Sequence, residues 1–191
     1  MIPLAFINYG GIQAIQTLWA GPWMLNITGY TPLQSATGLF WINITMLISF
    51  LIWGYVLPKI SEYGISSIKL IKLGLPISYF SLFLIIYFGN NAGAFLFTLY
   101  IMTSIVISLT QPAIALNFSK NLAGKSLTSY NVFLFSGTFF IQWGIGLVID
   151  LCNNKGFDIL SSYRISFSLF LFLCVLSLSL IHISEPTRRL N

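Results

Sequence analysis

Charge is what this chain has least of. Nine Lys and Arg and four Asp and Glu make up 7% of 191 residues, and none of them lies between Met1 and Pro58. A soluble domain carries roughly 25% charged residues, so this chain lacks the polar surface to face water on all sides. Its basic residues are dispersed between apolar runs, which excludes the clustered patch that nucleic-acid binding requires. Cysteine is scarce too. Cys152 and Cys174 have no His or Cys neighbour at ligand spacing, so neither a disulfide framework nor a metal site is indicated. The lone histidine, His182, closes the last apolar run. There is no G-x-S-x-G, no pair of buried Asp and no Ser-His pair at comparable depth, which argues against an intramembrane enzyme. A buried Asp, Glu or His that could relay protons is absent as well. Met1 leads straight into apolar residues with neither a basic region nor a cleavage site, so no signal peptide is read. That start implies a fragment of something longer.

What the chain has is hydrocarbon. Hydrophobic residues make up 57% of it, and the mean hydropathy is +0.87. Charge-free runs cover 1–58, 74–119, 126–149 and 165–184. A membrane-spanning helix takes about 20 apolar residues, so the first two runs hold two helices each and the last two hold one. Turn residues divide the long runs at 26–32 (NITGYTP) and 89–93 (GNNAG). The expected fold class is therefore all-α and integral to a membrane, with six helices near 3–25, 34–57, 70–88, 93–118, 127–150 and 164–184 and a tail at 185–191. Six spans put Lys59, Lys69, Lys72, Lys120, Lys125, Arg188 and Arg189 on one side, with Lys155 and Arg164 opposite beside Asp150 and Asp158. Cytoplasmic loops accumulate Lys and Arg, so both termini are expected in the cytoplasm.

Three of the expected helices carry a polar row. Residues three or four apart share a helix face, which aligns Tyr9, Gln13, Gln16 and Ala20, continued by Trp23, in the first helix. Tyr100, Ser104, Ser108 and Gln111 align in the fourth, and Thr128, Asn131, Thr138 and Gln142 in the fifth. Lipid offers no hydrogen-bond partner, so these rows face protein or water. Two readings stay open: the amides bridge neighbouring helices, or together they line a wet path for a polar solute. Trp23 is expected as an interfacial anchor, while Trp19 and Trp143 are either core residues or a wall against a solute. Gly21-Pro22 and Gln111-Pro112 are expected to disturb the first and fourth helices, as proline lacks an N–H and crowds the carbonyl four residues back. Gly137 and Gly144 are expected to allow close helix contact.

Four stretches, in order, resemble the C-terminal half of a major facilitator superfamily transporter: 18–38 (LWAGPWMLNITGYTPLQSATG), 54–64 (GYVLPKISEYG), 124–131 (GKSLTSYN) and 142–151 (QWGIGLVIDL). The resemblance covers nearly the whole chain to about Ile183. It implies one six-helix half made of two inverted three-helix repeats, and alternating-access transport of a small polar or organic solute held near the membrane midplane. Tyr9, Gln13, Gln16, Trp19, Tyr100, Ser104, Gln111, Asn131 and Gln142 would line the solute cavity, and Gly54, Lys59 and Gly64 would form a gating loop. Pro58 stands where the family loop usually has Asp. No cofactor is implied. The implied partners are the solute, the lipid bilayer of a bacterial inner membrane, and a missing N-terminal six-helix half from the same longer chain or a partner chain. The alternative is a membrane scaffold or accessory subunit that transports nothing.

Overall fold

The structure, a computed structural model, describes residues 2–116 and 118–184, except for the side chains of Lys120 and 181–184. The His182 side chain, Arg188, Arg189 and the 185–191 tail therefore lie outside the described residues. No strand occurs among the described residues, and the helices form one bundle. Helix α1 (residues 2–26) consists of Ile2–Ala14, a π turn at Ile15–Trp19, and Ala20–Asn26. It is followed by α2 (Pro32–Glu62), α3 (Ser67–Phe88, extended by a 3₁₀ turn at Gly89–Asn91), α4 (Ala94–Ala115), α5 (Lys120–Asn154) and α6 (Ile159–Ser184). Five of these, α2 to α6, are long and apolar enough to cross a membrane. In α1 the π turn limits the leading regular stretch to 13 residues.

Side chains on the chain itself set the helix ends. Thr31 accepts from the Gln34 amide while the Gln34 side chain accepts from the Thr31 amide, a reciprocal cap with Pro32 at the first helical position of α2. Asp158 accepts from the Ser161 amide at 3.0 Å and opens α6. The Ser161 hydroxyl first, and then this amide, hold the Asp158 carboxyl below its ordinary range. Gly64, at φ +75°, turns the chain out of α2.

Pro58 does not stop α2, which was expected to end at 57 and continues to Glu62. A proline removes one bond, here the one to the Gly54 carbonyl, from a helix of 31 residues. Gly54 and Lys59 are consequently helical, and only Gly64 of the expected gating loop lies in a connection. Lys59 is exposed and folds back onto Tyr55, 2.6 Å from its hydroxyl. Likewise α5 starts at Lys120, well before the expected 127, and α6 starts at Ile159 instead of 164.

Packing centres on α1. It runs along α5, where Gly10 and Gly137 meet so closely that a Cβ built on Gly137 would lie 2.2 Å from the Phe6 carbonyl oxygen. Gly144, in contrast, has nothing within 4 Å. Gly11 leaves room for the Phe170 ring of α6. Trp23, expected at the membrane surface, is fully buried: it stacks on Phe167 at 5.1 Å and donates to the Ala92 carbonyl at 3.1 Å. That bond and those from Arg164 to the Ile86 and Tyr87 carbonyls, both 2.9 Å, gather 23–30, 86–93 and 154–164 at one end of the bundle. Asp150, Lys155, Asp158 and Arg164 belong to this end, whereas Lys59, Glu62, Lys69, Lys72 and Lys125 belong to the opposite one.

Candidate functional site

Proline shapes the local backbone on which the site stands. Pro22 has no N–H for the Leu18 carbonyl, and just upstream the helix widens, with the Ala20 amide bonded to Ile15 five residues back. Pro112 likewise has no N–H for the Ser108 carbonyl, which is met instead by the Thr110 amide, and Ile105–Leu109 tightens into a 3₁₀ turn. Both expected disturbances therefore occur one turn before their proline.

The π turn divides the polar row of α1. At 3.6 residues per turn Tyr9, Gln13, Gln16, Ala20 and Trp23 would share a face. With the wider turn, the row that reaches the surface is Tyr9, Gln13 and Thr17, whereas Gln16, Ala20 and Trp23 turn inward. The outward row is linked by hydrogen bonds: Gln13 Nε2 donates to the Tyr9 hydroxyl at 3.5 Å, and the Thr17 hydroxyl donates to the Gln13 carbonyl at 2.5 Å. Gln142 Nε2 of α5 joins it, donating to Thr17 Oγ1 at 2.8 Å. Thr138, one turn earlier on α5, donates to its own helix at Leu134.

Gln16 is 7% exposed and donates from Nε2 to Asn43 Oδ1 of α2 at 2.5 Å. Its Oε1 is buried with no partner. A buried acceptor left without a donor costs roughly 1–3 kcal/mol, which calls for an explanation beyond helix packing.

Trp19 and Gln142 meet in a groove of about 380 Å³ between α1 and α5, lined also by Phe139, Trp143, Gly146 and Asp150. The Trp19 indole donates to the Gln142 carbonyl at 3.3 Å and sets its edge on Tyr163 at 5.9 Å. Gly146 makes room for the indole, since a Cβ there would lie 3.2 Å from the ring.

The remaining sequence candidates stand apart from this groove. Tyr100 and Ser104 are buried inside the bundle at 3% and 2% exposure, so the α4 row faces the core over those positions. Ser108 and Gln111 are half-buried farther along α4. Asn131 and Thr128 are exposed, with Asn131 about 16 Å before Gln142 along α5. Gly54, Lys59 and Gly64 lie at the opposite end of the bundle from Asp150.

The sequence reading missed several polar groups. Asn8 joins three helices: its Nδ2 donates to Ser177 Oγ of α6 at 2.9 Å, and its Oδ1 accepts from the Tyr79 hydroxyl of α3 at 2.9 Å. The Tyr79 hydroxyl also lies 3.0 Å from the Cys174 carbonyl, and Ser177 donates to the same oxygen at 2.7 Å. The signal was present, because Asn8 is about 100° around the helix from Tyr9 and an amide on a second face needs a second partner. Asn43, the partner of Gln16, was not singled out, and Asp150 was read without its neighbours in the groove. Among the described residues no three His, Cys, Asp or Glu come together at metal-binding spacing, and Cys152 and Cys174 are unbonded. Comparison of the chain with protein-family models, curated proteins and solved structures found no match.

Proposed function

We propose that the chain is a six-helix half of a secondary active transporter of the major facilitator type, and that the outward polar face of α1 and α5 contacts a small polar or organic solute. The observation that carries this reading is the linked row of Tyr9, Gln13, Thr17 and Gln142 on the outer side of a helix otherwise enclosed by its neighbours. Hydrocarbon would leave the remaining lone pairs and N–H groups of such a row unpaired at several kcal/mol, whereas a water-filled crevice satisfies them. Gln16, turned inward onto Asn43 of α2, lies behind this row and does not line the crevice. A second six-helix half, from a longer chain or a partner chain, closes the crevice. In this reading α1 is the sixth span, the Lys-rich end lies in the cytoplasm of a bacterium, and the α2 end with Gly54, Lys59 and Gly64 moves as the gate. The reaction is translocation without covalent chemistry.

A second reading has its own support. Gln16 bridges to Asn43 and Gln142 to Thr17, as expected of a scaffold or accessory subunit whose amides only hold helices together. Cysteine scanning separates the two. In the transport reading Cys at 13 and 142 reacts with a water-soluble maleimide, and the bound solute protects it. A scaffold leaves both positions unreactive from either side.

A further inference from the structure

The groove between α1 and α5 has a composition that the polar row does not explain. Phe139, Trp143, Gly146 and Asp150 recur at spacings of three and four, so they form one face of α5. Trp19 lies over that face at Gly146, held by the Gln142 carbonyl and the Tyr163 edge. Asp150 follows Gly146 by one turn and lines the same groove as Trp19. Trp143 precedes Gly146 by one turn and is 59% exposed. Asp150 is exposed, and no described residue forms an ion pair with it. The next basic residue in the chain, Lys155, follows the last residue of α5. Arg164 spends its guanidinium on the Ile86 and Tyr87 carbonyls.

A carboxylate without a counter-ion, at one end of a groove whose walls carry two indoles and a phenyl ring, is complementary to one kind of ligand. Indole faces attract cations through their quadrupole, most strongly among the aromatic side chains, and the attraction grows as water is excluded. The carboxylate supplies the charge, and it disfavours anions. The Gln142 side chain adds a polar contact, and 380 Å³ accommodates a small molecule. We propose that this groove binds an organic monocation, a substituted ammonium head on a small apolar body, with Asp150 as counter-charge and Trp19 and Trp143 as aromatic walls. The assignment deepens the solute-binding reading and rests on it only in treating the bound cation as cargo.

The test is calorimetric titration of the full chain, in a nonionic detergent, with benzyltrimethylammonium and with the uncharged tert-butyl compound 3,3-dimethylbutan-1-ol. The cation binds saturably at one site, and the alcohol binds at least about tenfold more weakly. Asp150→Asn weakens the cation about tenfold and leaves the alcohol unchanged, and Trp143→Phe weakens the cation about threefold. Both positions are exposed, so the variants keep the circular dichroism and melting temperature of the parent. Gly146→Leu, which occupies the space of the Trp19 ring, abolishes cation binding. Equal affinity for cation and alcohol, or cation affinity unaffected by Asp150→Asn in a folded variant, overturns the assignment. Vesicle uptake distinguishes the two claims: cation bound but never carried overturns transport alone, and uptake of another solute without saturable cation binding overturns the cation site alone.

Discussion

Replacing Gly137 by alanine adds one methyl group where α5 crosses α1, and the structure gives the consequence. The new Cβ would lie 2.2 Å from the Phe6 carbonyl oxygen and 3.0 Å from its carbon, all of it backbone. Ordinary contact requires about 3.4 Å, so the helices must separate by roughly 1 Å along this seam. A gap of that size forfeits a quarter to a half of each dispersion contact across it. No side-chain rotation can relieve it, because neither atom belongs to a side chain. We expect Gly137→Ala to lower stability by about 2–3 kcal/mol, at the upper end of overpacking costs. Gly144 and Gly124 also sit in α5 but have nothing within 4 Å, so alanine at either should raise stability by up to about 1 kcal/mol through helix propensity. Reversible unfolding in mixed detergent micelles, monitored by circular dichroism, reads all three. If Gly137→Ala matched Gly144→Ala to within about 0.5 kcal/mol, the close crossing of α1 and α5, and with it the geometry of the groove, would be refuted.

Other consequences follow from single groups. Tyr79→Phe removes the hydroxyl that serves Asn8 Oδ1 and the Cys174 carbonyl, and should cost about 1–3 kcal/mol; combined with Asn8→Ala, the double-mutant cycle should show a coupling of roughly 0.5–1.7 kcal/mol, and zero coupling would contradict the network. Gln16→Leu removes the unpaired Oε1 together with the donor to Asn43 Oδ1, and because these two effects oppose each other it should change stability by less than about 1 kcal/mol; a loss above about 2 kcal/mol on unfolding would show that the bridge to Asn43 outweighs the orphan acceptor. Asp158 has a folded pKa below its unfolded value, so its contribution is complete above about pH 4 and is lost as the pH falls through the depressed value; the difference in melting temperature between the parent and Asp158→Asn should shrink on acidification, whereas a constant difference would mean that charge plays no part in the cap.

The helices were legible in the sequence because their cause is additive: uninterrupted apolar length and a few turn residues, at 26–32 and 89–93, fix where rods begin and end. Pro58 misled because one missing hydrogen bond counts little against the length of α2. The site was harder to read for a different reason. Periodicity says which residues share a face and leaves open which face turns outward, so the α4 row of Tyr100 and Ser104 was recognisable as a row while its inward direction was not. Trp23 was placed at a surface by residue type, but the partners that bury it, Ala92 and Phe167, are remote in sequence and appear only on folding. The grouping of Trp19 with Asp150 depends on a glycine in another helix. No local pattern encodes that.

Residues 15–19 also make α1 tolerant of a change in chain length at one place only. A widened turn holds one residue more than a regular helix uses over the same rise. Deleting Leu18, which is exposed, should therefore let the widened turn close to α-helical spacing, with only the bond missing at Pro22, while residues on both sides keep their bearings and Trp23 stays under Ala92. The same deletion at Ile7 would swing everything after it by about 100° and bring Trp23 out of the bundle. A one-residue deletion in this helix is thus survivable at the turn and ruinous a few residues before it.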